Sequence, residues 1–93
     1  MKDEAVLNIL EEAAQKLAVR VDYEDLRKGE VNTDGGFFSL KGERRVLIHK
    51  GLSLKDKVHI LSQILAGIDT EGIHLPPDVR ERLEEAKGLL KQP

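Results

Sequence analysis

Cysteine and tryptophan are absent from this 93-residue chain, and its only aromatic residues are Tyr23, Phe37 and Phe38. Without a thiol there is no disulfide, no thiolate nucleophile and no Cys-ligated zinc. So few aromatics nearly remove the stacking platforms on which single-stranded nucleic acid is held. No run approaches the ~18 apolar residues that span a bilayer, and the start, Met1-Lys2-Asp3-Glu4-Ala5-Val6, lacks the apolar core of a signal peptide. A cytoplasmic location is therefore expected. Charge of one sign is also lacking: charged residues make up 34%, yet 15 Lys and Arg against 17 Asp and Glu leave a net charge of -2. No global field pulls the chain toward phosphate backbones or an anionic membrane.

What is present is aliphatic and periodic. The hydrophobic fraction is 40%, and a chain this long buries about 60 to 65% of its unfolded surface, enough for one core and one domain. Residues 3 to 18 predict a helix, because Val6, Leu10, Ala13, Ala14 and Leu17 recur at three- and four-residue steps, with Leu7 and Ile9 widening the stripe. From Val19 the period changes to two: Val19, Val21 and Tyr23 alternate with Arg20, Asp22 and Glu24, the pattern of a strand with one buried face. Residues 26 to 36 are polar and glycine-containing and predict a loop, with room for a short strand near Glu30 and Val31.

Phe37 to Lys41 and Arg44 to Lys50 predict an antiparallel hairpin around Gly42-Glu43, where a glycine at the first central position suits a type II′ turn. Ser53 then predicts an N-cap, with Asp56 three residues on, ahead of a helical stripe of Leu54, Val58, Leu61, Leu65 and Ile68. The last helix is expected from Pro77, burying Val79, Leu83, Ala86 and Leu90 and showing solvent a self-paired face of Arg80, Glu81, Arg82, Glu84, Glu85 and Lys87. The expected architecture is α+β: a small, mainly antiparallel three-stranded sheet with three helices on one face, in the order α-β-β-β-α-α.

Several groups invite a chemical reading. His49, His59 and His74 match no ligand spacing, since two imidazoles on one helix face need a three- or four-residue separation. The run from Glu30 through Asn32 and Asp34 to Gly35 imitates the first half of an EF-hand loop. Its twelfth position, which needs a bidentate glutamate, is Lys41. Turn formation explains Asn32, Asp34, Gly35 and Gly36 better, because these residues tolerate positive φ. Gly35-Gly36 precedes a strand, whereas phosphate loops run from a strand into a helix. Two glycines still allow a ligand or partner strand close to the backbone. Asp22, Glu24 and Asp25 with Tyr23 form an acidic cluster, read as solvated because the spacing does not bury it. Lys41, Arg44, Arg45 and Lys50 form a small basic patch, which Glu43 and the net negative charge argue against assigning to nucleic acid.

A hairpin running into an apolar helix, after an N-terminal helix and strand, resembles the scaffold of minimal zinc peptidases of the ImmA/IrrE type. That resemblance implies an HExxH motif on the helix after the hairpin, supplying two zinc ligands and the general base. The corresponding stretch here is Gln63-Ile64-Leu65-Ala66-Gly67, so the resemblance implies a shortened scaffold without catalytic or metal residues. The passages Gly35-Gly36-Phe37-Phe38-Ser39-Leu40-Lys41-Gly42, Ile48-His49-Lys50 and Leu75-Pro76-Pro77-Asp78-Val79-Arg80-Glu81 are also similar to small uncharacterised bacterial proteins. No functional residue carries over from either.

The expectation is a non-enzymatic interaction or regulatory module, with no cofactor, acting on a protein partner or on itself as a homodimer through helix packing or an exposed strand edge. The alternative from another class is a small enzyme or ligand- or metal-binding protein using His59 or His49 with the acidic cluster around Asp22 and Asp25. A nucleic-acid binder through Lys41, Arg44, Arg45 and Lys50 is the third reading.

Overall fold

The computed structural model describes residues 1–28 and 33–90, so Asn32 and the strand expected near Glu30 and Val31 lie outside the described residues. The elements are α1 (Asp3–Lys16), β1 (Val19–Glu24), β2 (Gly35–Leu40), β3 (Glu43–His49), α2 (Leu54–Ala66) and α3 (Pro77–Leu90), the expected order of an α+β fold. Helix α1 stops at Lys16 instead of residue 18, because Ala18 takes the left-handed conformation, φ 58°, and turns the chain into β1. The Arg44 guanidinium donates to the Leu17 carbonyl, one of the acceptors that a helix end leaves without an intrahelical partner.

The sheet is mixed, in the order β1-β3-β2. Antiparallel pairing joins β2 to β3, Gly35 opposite Ile48 through Leu40 opposite Glu43. Strand β1 adds parallel to the other side of β3, Val19 opposite Arg44 through Glu24 opposite His49. A parallel neighbour cannot be reached by a tight turn. The connection from β1 to β2 therefore crosses the C-terminal end of β3, a span of about 10 Å at two strand spacings.

The hairpin corrects the expected turn. Lys41 and Gly42, not Gly42 and Glu43, are its central residues, and both have positive φ, 53° and 80°. That pair of signs belongs to a type I′ turn, whose twist matches that of the flanking strands.

Period-two alternation sends Val19, Val21, Arg44, Val46, Ile48, Gly35 and Phe37 to the face that the helices cover. Val46 and Ile48 are fully buried there with Val6, Leu10, Val58, Leu61, Leu65, Val79 and Leu83. Helices α1 and α2 lie against the sheet, and α3 packs on α2 and α1. Ser53 caps α2 as expected, its hydroxyl accepting from the Asp56 N–H at 3.2 Å. Leu54, expected in the buried stripe, is 45% exposed because it stands at the first helical position, a turn before the buried Val58. Ile68 falls past the helix end, where Gly67 is the C-cap, and is half-buried. In α3 the Val79 and Leu83 side chains are buried, while that of Leu90 lies outside the description. Arg80 departs from the expected solvated face: its guanidinium donates to the Thr70 carbonyl at 3.2 Å, the Thr70 hydroxyl at 2.8 Å and the Ile73 carbonyl at 2.8 Å. It thereby ties the α2–α3 connection to α3.

Among the described residues, β2 contributes no buried side chain. What seats it is backbone proximity. A Cβ built on Gly35 would lie 2.7 Å from the Leu47 carbonyl oxygen and 3.3 Å from Ile60 Cγ2, whereas one on Gly36 would meet nothing within 4 Å. Gly35→Ala should therefore destabilise the fold by about 1–3 kcal/mol, because β3 backbone must shift. Gly36→Ala should stay within about 0.5 kcal/mol of the parent. Paired denaturant titrations measure the difference, and equal midpoints would refute the close-approach explanation.

Candidate functional site

Several polar contacts gather at the C-terminal end of β3, where the crossing chain passes. The His49 N–H donates to the Asp34 carbonyl at 2.8 Å and the Lys50 N–H to the Glu24 carbonyl at 2.9 Å. His49 is 9% exposed, and its Nδ1 accepts from the Leu26 N–H at 3.2 Å. Asp25 Oδ1 stands 3.8 Å from the same nitrogen, outside hydrogen-bond reach, so the Leu26 amide holds the Nδ1 lone pair. A ring that accepts at Nδ1 carries its proton on Nε2. That nitrogen faces the Gly51 backbone, where an added Cβ would come within 2.8 Å of it. Arg27 closes the loop by pairing with Asp34. His49 and Asp25 are thus brought together as sequence suggested, and the imidazole's work there is to hold the crossing chain.

The other candidates separate. His59 lines a recess between α2 and α3 with Ser62, Gln63, Arg82 and Glu85. His74 lines a different one beside α1 with Ile9, Glu12 and Lys16. Among the described residues no group of three or more His, Asp or Glu side chains is disposed to hold a metal. At Gln63–Gly67, where the peptidase-like pattern would place its zinc ligands, Leu65 and Ala66 are core residues and Gln63 is exposed.

The acidic cluster disperses as well. Asp22 pairs with Arg20 at 3.0 Å on the open face of the sheet, and Glu24 is exposed. Tyr23 turns to the helix side, where its hydroxyl donates to Glu11 of α1 and the Lys57 ammonium stands 5.3 Å from the ring centre. Burial above all, then the hydrogen bond and the negative charge of Glu11, hold the Tyr23 phenol well above its ordinary range.

The basic patch does not form one surface. Arg44 and Arg45 are adjacent in a strand and face opposite ways. Arg44 is engaged at the end of α1, and Arg45 meets Glu43 at 3.4 Å. Lys41 and Lys50 flank opposite ends of β3, roughly 25 Å apart at the strand rise.

The sequence predicts an exposed strand edge but not which strand forms it or which side chains it bears. Phe37, Phe38 and Leu40 are 46%, 39% and 45% exposed, all on β2, an edge strand. The signal was available: Phe37 and Phe38 are adjacent, so on a sheet covered on one face one of them must point outward. The strand itself, Gly35 to Leu40, contains no charge and no proline, the usual devices that keep an edge from pairing. The register also shows which backbone groups are free. The bond from His49 N–H to the Asp34 carbonyl sets the phase of the ladder, so Gly36, Phe38 and Leu40 bond inward to β3. The N–H and C=O groups of Gly35, Phe37 and Ser39 consequently point out along the open edge.

No protein-family model, curated protein or solved structure matches this chain significantly. No helix among the described residues is long and apolar enough to cross a membrane.

Replacing His49 by Ala removes the acceptor of the partly buried Leu26 N–H, a loss of about 1–3 kcal/mol. Hydrogen exchange at the Leu26 amide should accelerate in that variant, and an unchanged rate would contradict the role assigned to the ring. Tyr23 is the single tyrosine and there is no tryptophan, so phenolate absorbance reports this residue alone. Its titration midpoint should lie above that of a free phenol and fall toward it in Glu11→Gln. Because the fold favours the protonated phenol, this contribution to stability is complete below about pH 10 and is lost as pH rises beyond it. Tyr23→Phe should abolish that alkaline slope.

Proposed function

We propose that this chain is a non-enzymatic protein-interaction module whose docking surface is the open edge of β2, where an extended segment of a protein partner, a further copy of this chain included, adds as a strand. The observation that carries this reading is the combination on one strand of outward backbone groups at Gly35, Phe37 and Ser39 with exposed Phe37, Phe38 and Leu40. Strand addition takes its affinity from main-chain hydrogen bonds and its selectivity from alternate side chains, and this edge offers both. The opposite edge is less suited. Strand β1 carries Arg20, Asp22 and Glu24 on its open face, with Arg20 and Asp22 paired to each other at 3.0 Å, and charges of this kind discourage strand addition. The engagement of His49 with the Leu26 amide and of Tyr23 with Glu11 further supports a structural use for the groups that a catalytic reading would have needed.

A photo-crosslinking residue placed at Ser39, with a control at Glu81 on the exposed side of α3, tests this in cells. Adducts identified by mass spectrometry should form at position 39, exceed those at 81 several-fold, and disappear when Leu40→Lys is added. Equal labelling at the two positions would overturn the proposal.

A further inference from the structure

We infer that the occupant of the β2 edge is the β2 edge of a second copy, paired antiparallel about a two-fold axis at Phe37; this rests on the docking surface proposed above and names its partner. Symmetry restricts the geometry first. Two copies of one strand joined in a continuous sheet are related by an axis normal to the sheet, so each residue keeps its face and the axis passes through a residue position. Centred on Phe37, the ladder pairs Phe37 with Phe37 of the other copy, Gly35 with Ser39 and Ser39 with Gly35, using every outward N–H and C=O of both strands. Centring on Phe38 would set Gly35 against Lys41, which lies in the turn at φ 53° and is out of the ladder. Centring on Gly36 would set Ser39 against Thr33, which precedes the strand.

Side chains agree with this register. On the open face, Phe38 of one copy falls opposite Gly36 of the other, and the space where a Cβ would stand on Gly36 is empty. A ring can lie over that glycine, a cross-strand arrangement that restores the packing that glycine lacks. On the helix-facing side the exposed Phe37 rings meet each other, an aromatic cross-strand pair. Charge is also compatible. Residues 35–40 carry none, so no like charges oppose, and each end of the joint ladder brings Asp34 of one copy beside Lys41 of the other. The product is a continuous sheet ordered β1-β3-β2-β2-β3-β1. A strand of 6 residues per copy is a small contact, in the class of interfaces below about 1,200 Å², so the dimer should be reversible with a dissociation constant on the order of micromolar.

The test uses the purified full chain. Sedimentation velocity from low micromolar to near-millimolar concentration should show the mass rising from one chain toward two, with protection from hydrogen exchange appearing at Gly35, Phe37 and Ser39. In this register position 37 faces itself, so Phe37→Lys and Phe37→Glu should each lose association at least tenfold through like-charge opposition, and an equimolar mixture of the two should regain it. Circular dichroism checks that both variants fold; if either does not, the exchange pattern of the parent protein decides. A parent chain that stays monomeric throughout overturns the inference. A dimer that the mixture fails to restore overturns the register. Foreign adducts at Ser39 from a chain that is monomeric alone would sink self-pairing and leave the interaction module standing, whereas no adducts at all would sink both.

Discussion

The double pairing of β3 is the constraint on which the other elements depend. Among the described residues it is the only strand with neighbours on both sides, parallel to β1 and antiparallel to β2, and its Val46 and Ile48 are fully buried beneath the helices. Because β1 joins in parallel, the chain must cross the end of β3 before it can return as β2. Because β2 returns by a two-residue turn, it takes the remaining side of β3 and becomes an edge. Burial of Val46 and Ile48 then fixes which face the helices cover, since a one-residue slip of β3 would turn both outward.

Polar side chains finish the joints that this topology creates. Arg44 reaches the open carbonyl end of α1, His49 holds the amide of the crossing chain, and Arg80 gathers the carbonyls of the α2–α3 connection. Each satisfies backbone groups that the fold leaves without regular partners, and an unmade bond at a partly buried site costs more than a made one contributes. These side chains, which read as candidates for chemistry or as solvated charges, are better understood as fasteners. The Tyr23–Glu11 contact joins α1 to the sheet in the same way.

The two edges of the sheet differ in a manner that the core does not require. Strand β1 buries Val19 and carries charge on its open face, while β2 carries no charge and leaves its largest side chains in solvent. Exposed Phe37, Phe38 and Leu40 add little to the stability of the isolated chain, since none leaves water on folding to the extent of a core residue. In the proposed module these side chains would be buried against another strand, whereas His49 is already engaged within the fold.

By itself the sequence determined the elements and most of the buried faces of α1, β1 and α2. Hydrophobic periods of 3.6 and 2 are local, and they placed α1, β1, the hairpin, α2 and α3 to within a few residues, with Ser53 and Pro77 marking helix starts. It also carried the clue to the edge in the adjacent Phe37 and Phe38. Only the tertiary structure decided that β1 pairs with β3 in parallel, that Lys41 and not Glu43 shares the turn with Gly42, that His49 meets Leu26 while His59 and His74 part, and that Arg80 turns inward. Strand order, the partners of polar side chains and the exposure of Leu54 depend on which residues distant in the chain become neighbours. A local period records which side of an element avoids water, but not what stands on that side.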